Sequence, residues 1–137
     1  MLDWFAFQTG ATAFLIAFAA AIVFFSAFKF VYQMITPYHE RDLIRQGNTA
    51  AAVALGGALI GYVLPLASAL SHTVSLPEFA AWALLAGVIQ ILSFIVVSRV
   101  LYKALASRIE AGELAAGVYL ASISIGVGLL NAACMTA

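Results

Sequence analysis

The chain has 137 residues, of which 65% are hydrophobic and 9% are charged, and its formal net charge is zero. A soluble domain of this length needs more polar residues to cover its surface, so the apolar excess must face lipid. Zero net charge provides no basic field for nucleic acid, and the single cysteine excludes an internal disulfide framework and a cysteine-based metal cluster.

Four apolar stretches are each long enough to cross about 30 Å of hydrocarbon, which takes roughly 20 helical residues. They are Ala11–Ile35, Thr49–Leu70, Phe79–Ser98 and Leu114–Thr136. Helices are expected because an isolated strand or loop in lipid would leave backbone groups without hydrogen bonds. The sequence therefore predicts an all-α integral membrane protein, a single membrane domain over residues 1–137 with four transmembrane helices.

The first span contains one charge, Lys29, about six residues before the expected cytoplasmic end of the span. At ~1.5 Å per residue this is ~9 Å, so the ammonium group can snorkel to the interface. The alternative is a buried functional contact. The rest of the span is rich in phenylalanine and is expected to face lipid.

The basic residues fix the orientation of the chain. Lys and Arg resist translocation and remain cytoplasmic, and here they lie in or beside the loops Thr36–Asn48 and Arg99–Glu113. We therefore expect both charged loops in the cytoplasm and both termini in the periplasm. Basic residues near an anionic membrane surface each contribute about 1 kcal/mol, so the loops can contact lipid or a cytoplasmic partner. The candidate contact residues are Arg41, Arg45, Arg99, Lys103 and Arg108.

Each charged loop ends in a similar corner. A glycine, Gly47 or Gly112, is followed by Asn48 or Glu113 and then by an apolar helix. Glycine suits the left-handed position after a helix, asparagine is a strong N-cap, and an acid near a helix start complements the helix dipole. We predict a short helical turn, a sharp corner and a membrane helix, made twice.

The two corners belong to an internal repeat. A shift of 65 residues aligns several identities, among them Gly61 with Gly126, in a shared context. The sequence thus predicts two-helix repeats over residues 1–70 and 71–137. Both would run out–in–out, so the repeat is parallel and its pseudo-axis lies along the membrane normal, unlike the inverted repeats of many transporters.

Small residues recur every four positions in the second and fourth spans, a spacing that lets membrane helices approach closely. The second span has Gly57 and Gly61, and the fourth has the pairs Gly117 and Ala121, Ser122 and Gly126, and Ser124 and Gly128. We expect these two spans to form the inner pair, with Gly57, Gly61, Ser122 and Gly126 in contact. Whether that contact lies within one chain or between chains is left open.

Polar interruptions in the spans mark a candidate intramembrane site. Pro65 cannot donate to the carbonyl of Gly61, and this level of the fourth span has Gly126 and Asn131. Gln90 lies near the middle of the third span. Matching interruptions in two halves indicate a binding site or a path for a solute or ion. The alternative is that these groups hydrogen-bond one another across helices.

The sequence offers little chemistry for catalysis or coupling. The predicted spans contain no Asp, Glu or His, which argues against an ion-coupled pump. His39 and His72 are expected on opposite sides of the membrane, so they cannot share a metal or haem, and their loops are expected to be solvated. There is no phosphate-binding loop and no Ser/His/Asp set in one compartment. We expect no enzymatic activity, no metal and no cofactor.

Several segments together resemble a known family. They are residues 40–48 (ERDLIRQGN), the pair Gly56–Gly57, residues 64–68 (LPLAS), residues 110–117 (EAGELAAG) and residues 128–136 (GLLNAACMT). They resemble the bacterial domain-of-unknown-function family numbered three hundred and fifty, small inner-membrane proteins built from duplicated two-helix units. The resemblance covers essentially the whole chain and implies a bacterial inner-membrane location with no established reaction. It also implies a membrane-maintenance setting, because genes of the family often lie near those of membrane-stress coat proteins and polyamine-related enzymes.

Two functions follow from these observations. The first is a non-enzymatic, homo-oligomeric assembly or scaffold module, which contacts lipid or a cytoplasmic membrane-stress protein through its charged loops. The second is a small homo-oligomeric channel or facilitator for an ion or small solute. A dry interior packed around glycine would favour the module, whereas a wet path past Gln90 and Asn131 would favour the channel.

Overall fold

The computed structural model describes residues 3–136, in which the chain forms helices and no strands. Four of these helices are long and apolar enough to cross a membrane. The predicted all-α class with four candidate membrane spans is confirmed. In chain order the elements are α1 (Trp4–Ile35), α2 (Glu40–Arg45), α3 (Thr49–His72), α4 (Leu76–Val96), a π-helical turn (Val97–Leu101), α5 (Leu105–Glu110) and α6 (Leu114–Cys134).

Helix ends differ from the predicted spans because capping groups, rather than hydropathy, decide where a helix begins. The first helix begins at Trp4 instead of Ala11, since the Asp3 carboxylate accepts hydrogen bonds from the backbone N–H groups of the next turn. The third span begins at Leu76 instead of Phe79, because the Ser75 hydroxyl accepts from the backbone N–H of Glu78. The same span continues beyond α4 through the π-helical turn.

The centre of the bundle is α3, which packs most extensively against α6 and also contacts α4 and α1. By contrast, α1 is exposed along most of its length and buries only Phe28 and Tyr32. Phe28 stacks on Tyr62 of α3, with 4.4 Å between ring centroids. The Tyr62 hydroxyl donates to the carbonyl of Ala83 in α4 at 3.0 Å. These contacts attach the outer helix to the α3–α6 pair.

The two charged corners have the same backbone geometry. Gly47 and Gly112 both have φ of 88°, in the left-handed region that favours glycine. In each corner the glycine N–H donates to the carbonyl three residues back, and the next N–H donates to the carbonyl five residues back. This is the expected left-handed turn after a short helix.

One side chain joins the corners to each other. Asn48 caps α3 by accepting from the N–H of Ala51 at 3.0 Å. Its amide N–H group also donates to the carbonyls of Ile109 (3.0 Å) and Glu110 (3.1 Å) at the end of α5. The corner α2–α3 therefore lies beside the corner α5–α6, at the same end of the bundle.

Candidate functional site

Two amide side chains inside the long helices, those of Gln90 and Asn131, form a hydrogen-bonded cluster with backbone carbonyls. Gln90 of α4 is only 5% exposed, and its amide N–H group donates to the carbonyl of Ser124 at 3.2 Å. Its carbonyl oxygen accepts from the Asn131 amide at 3.3 Å, and the same Asn131 amide nitrogen lies 3.2 Å from the carbonyl of Ala86. Both amides are therefore used in joining α4 to α6.

Pro65 lies within α3, which continues unbroken from Thr49 to His72. Because proline has no N–H, the carbonyl of Gly61 loses its intrahelical donor. That oxygen lies directly against the Cα of Gly128 in α6, close enough that a methyl group on Gly128 would overlap it. A Cα–H···O contact of this kind is common where two helices approach closely. The freed acceptor thus faces the neighbouring helix.

The contact between α3 and α6 is built on small residues along its whole length. On α3, a side chain at Gly57 would collide with Ala121, and one at Gly61 would collide with the backbone of Ser124. On α6, Gly117 lies equally close to the backbone of Ala50. The glycine faces of the two helices are therefore occupied inside a single chain.

Two residues of the expected packing set lie outside this contact. Ser122 is exposed, and a side chain at Gly126 would meet nothing within 4 Å. The face that α6 presents to α3 consists instead of Gly117, Ala121, Ser124 and Gly128. Gly126 also lies outside the polar cluster, whereas Gly61, Gln90 and Asn131 come together. The periodicity of 3.6 residues could have identified the correct face, because these four positions share one side of a helix.

The five basic residues predicted to make cytoplasmic contacts differ in their exposure and in their pairing. Arg108 forms an ion pair with Glu113, and its guanidinium lies over the ring of Tyr102 at 5.5 Å from the centroid. It therefore stabilises its own corner and is only half exposed. The other four candidates have exposed side chains: Arg41, Arg45, Arg99 and Lys103.

The expectation of a solvated first loop is wrong at its N-terminal end, where Thr36, Tyr38 and Glu40 are buried. Glu40 is 3% exposed, and burial raises the pKa of its carboxyl to about 7, although the nearby Thr36 hydroxyl and the charge of Lys29 act in the opposite direction. Lys29 itself is exposed. Nothing in the sequence pattern marked Glu40, because its burial depends on how the chain returns to α1 after Pro37.

The comparisons agree with a membrane protein. A profile of the family described as Domain of Unknown Function (DUF350) matches residues 6–135. The chain is 45% identical over 109 residues to the UPF0719 inner membrane protein YjfL of Escherichia coli (strain K12), covering 80% of this chain and 82% of that protein. It is 25% identical over 117 residues to the UPF0719 transmembrane protein YshE of Bacillus subtilis (strain 168), covering 85% and 87%. No solved structure gives a significant match.

Proposed function

The chain belongs to the DUF350 family, as its sequence motifs indicated, and we propose that it is a non-enzymatic assembly module of the bacterial inner membrane. In this proposal the four long helices anchor the chain. The paired corners contact anionic lipid or a cytoplasmic partner protein of a membrane-maintenance system.

The pairing of Gln90 with Asn131 is the observation that carries this proposal. A conduit needs polar groups that face water, but the Asn131 amide donates to the Gln90 oxygen and to a backbone carbonyl, and the Gln90 amide donates to another backbone carbonyl. The neighbouring α3–α6 contact is closed by glycines. Interhelical hydrogen bonds of this kind contribute about 0.5–2 kcal/mol each, so they serve packing well.

The corners provide the contact surface. The hydrogen bonds from Asn48 to the end of α5 hold the two corners together, so their exposed basic side chains lie on one end of the bundle. That end faces the cytoplasm in this proposal, with both termini periplasmic, because basic residues remain on the cytoplasmic side. The matching geometry at Gly47 and Gly112 also supports a duplication with repeats at 1–70 and 71–137.

We further propose that copies associate through the side of α6 that bears Ser122 and Gly126. The α3–α6 glycine face is occupied within the chain, whereas Gly126 has open space around it. Native mass of the detergent-solubilised protein is expected to give a defined oligomer that Gly126→Leu dissociates. Gly56 also has open space, so Gly56→Leu is the matched control. A monomeric wild type would contradict this part of the proposal.

Flux measurements in proteoliposomes separate the module from the channel. The module predicts ion and small-solute flux no greater than in protein-free vesicles. Flux that is lost on Asn131→Leu would instead establish the channel and overturn the proposal.

Contact through the corners is tested by the Arg41→Gln/Arg45→Gln variant, which should lose binding to anionic lipid or to the partner protein. The Arg108→Gln variant should retain this binding, because Arg108 is paired with Glu113.

A further inference from the structure

A second buried polar cluster lies where α1 ends and α2 begins, on different residues from the Gln90–Asn131 pair. It consists of Tyr32, Tyr38 and Glu40, which are 2%, 4% and 3% exposed. Their two hydroxyls and both carboxylate oxygens are fully buried and have no hydrogen-bond partner among the residues that the structure describes. Buried polar atoms are almost always paired, so four unpaired oxygens in one place call for an explanation.

The chain builds this cluster through a compact turn. Tyr32 lies one turn before the end of α1, and its ring packs edge-on against Phe94 of α4 at 5.0 Å. The hydroxyl of Thr36 bonds to the carbonyls of Gln33 (3.0 Å) and Tyr38 (3.4 Å). This turn directs Tyr38 and Glu40 back toward α1. The Tyr32 and Tyr38 hydroxyls lie near each other, and the Glu40 carboxyl lies near both.

The cluster of Tyr32, Tyr38 and Glu40 contains no positively charged side chain. Burial and the negative charge of Glu40 raise the pKa of Tyr38, so this phenol stays neutral. Burial raises the pKa of Glu40 to about 7, because an unpaired carboxylate in an apolar setting is unfavourable. The exposed Lys29 opposes this effect without forming an ion pair within 4 Å in residues 3–136.

We infer that the oxygens of Tyr32, Tyr38 and Glu40 bind a monovalent metal cation, Na⁺ or K⁺. Carboxylate and hydroxyl oxygens are hard ligands, and one carboxylate matches a single positive charge. Divalent ions usually take more charged ligands, and residues 3–136 contain no group of three His, Cys, Asp or Glu that could hold one. An open hollow of about 540 Å³, lined partly by Tyr38 and Glu40, lies beside the cluster.

Other charged or titratable side chains surround the site, and the basic ones among them could compete with a cation for Glu40. Lys29 approaches from α1, while His39, Arg41 and Asp42 line the same hollow as Glu40. The α4 contact is the apolar Phe94. This inference does not depend on the proposed function.

Thermal unfolding of the detergent-solubilised protein tests the site. The unfolding midpoint at pH 8 is compared in 150 mM NaCl, KCl and choline chloride, since choline is too large to enter. A cation at ten times its Kd should raise the midpoint by on the order of 5 °C in NaCl or KCl. Equal midpoints in all three salts at pH 8 would overturn the inference.

Matched variants assign the effect to the cluster. Glu40→Gln should abolish the difference between salts, whereas Asp42→Asn on the same short helix should preserve it because Asp42 is exposed. Tyr38→Phe should reduce it while keeping the ring. Retention in Glu40→Gln would contradict the site. A difference that appears only in Lys29→Met would identify Lys29 as the native cation and overturn the inference for the unmodified chain.

Discussion

At the scale of single residues, the close packing of α3 on α6 depends on glycines, whose side chain is a single hydrogen atom. The carbonyl of Gly61 occupies the position that a methyl group on Gly128 would need. Two residues earlier on α6, Gly126 has nothing within 4 Å. Two glycines of the same helix thus have opposite requirements, and only their environment distinguishes them.

This difference predicts opposite effects for two chemically identical substitutions. Gly128→Ala should lower the free energy of unfolding by about 1–3 kcal/mol, because backbone atoms must move to relieve the overlap. Gly126→Ala should be neutral or stabilising by up to about 1 kcal/mol, since alanine favours a helix. Unfolding in mixed detergent micelles with increasing SDS measures both. Similar values for the two variants would contradict the α3–α6 contact.

Glu40 predicts a specific dependence of stability on pH. Its pKa is raised from 4.5 to about 7, so between these values the folded chain holds a proton that the unfolded chain releases. This contribution is fully present below pH 4.5 and is lost as the pH rises through 7, by on the order of 3 kcal/mol in choline buffer. Glu40→Gln should flatten the profile, and Asp42→Asn should leave it unchanged. A wild-type profile that is flat over this range would contradict the burial of Glu40.

At the scale of elements, Asn48 performs two tasks. Its side-chain oxygen caps α3, and its amide N–H group bonds to the carbonyls at the end of α5. The first task was evident from the sequence, since asparagine after glycine is typical of a helix start. The second depends on which corner lies nearby, and no local pattern reports that.

Two substitutions at position 48 separate these tasks. Asn48→Ala removes the cap and both interhelical bonds, and should destabilise the protein by about 2 kcal/mol. Asn48→Asp retains a capping oxygen but cannot donate a hydrogen bond. The decrease in its free energy of unfolding relative to wild type therefore measures the contribution of the bonds to α5. Gln46→Ala, at an exposed neighbour, is the control. If Asn48→Asp unfolds like wild type, the bonds between the corners contribute nothing.

At the scale of the whole molecule, the proposed topology can be tested with the chain's own cysteine. Cys134 is exposed at the end of α6, away from the corners. A membrane-impermeant maleimide should label it in intact cells. In a Cys134→Ala background, the Arg45→Cys variant should be labelled only after the inner membrane is permeabilised. Protection of Cys134, or labelling of the Arg45→Cys variant in intact cells, would overturn the orientation.

The sequence by itself determined the class of the molecule, the number of long helices and the glycine corners. These properties depend on composition, on runs of about 20 apolar residues and on local backbone preferences, which neighbouring residues report directly. It also identified Gln90, Asn131 and Gly61 as unusual residues within the spans. The helix α1 extends beyond the predicted first span toward the N-terminus, where the Asp3 carboxylate caps it.

Only the tertiary structure decided how these groups are used. It paired Gln90 with Asn131, matched Gly61 with Gly128 instead of placing Gly126 in the contact, and buried Glu40 among tyrosines. A repeat aligns equivalent positions along the chain, but the residues that touch are set by helix rotation and crossing. Burial likewise arises from atoms far apart in sequence, so its effect on a carboxyl group becomes visible only once the helices are packed.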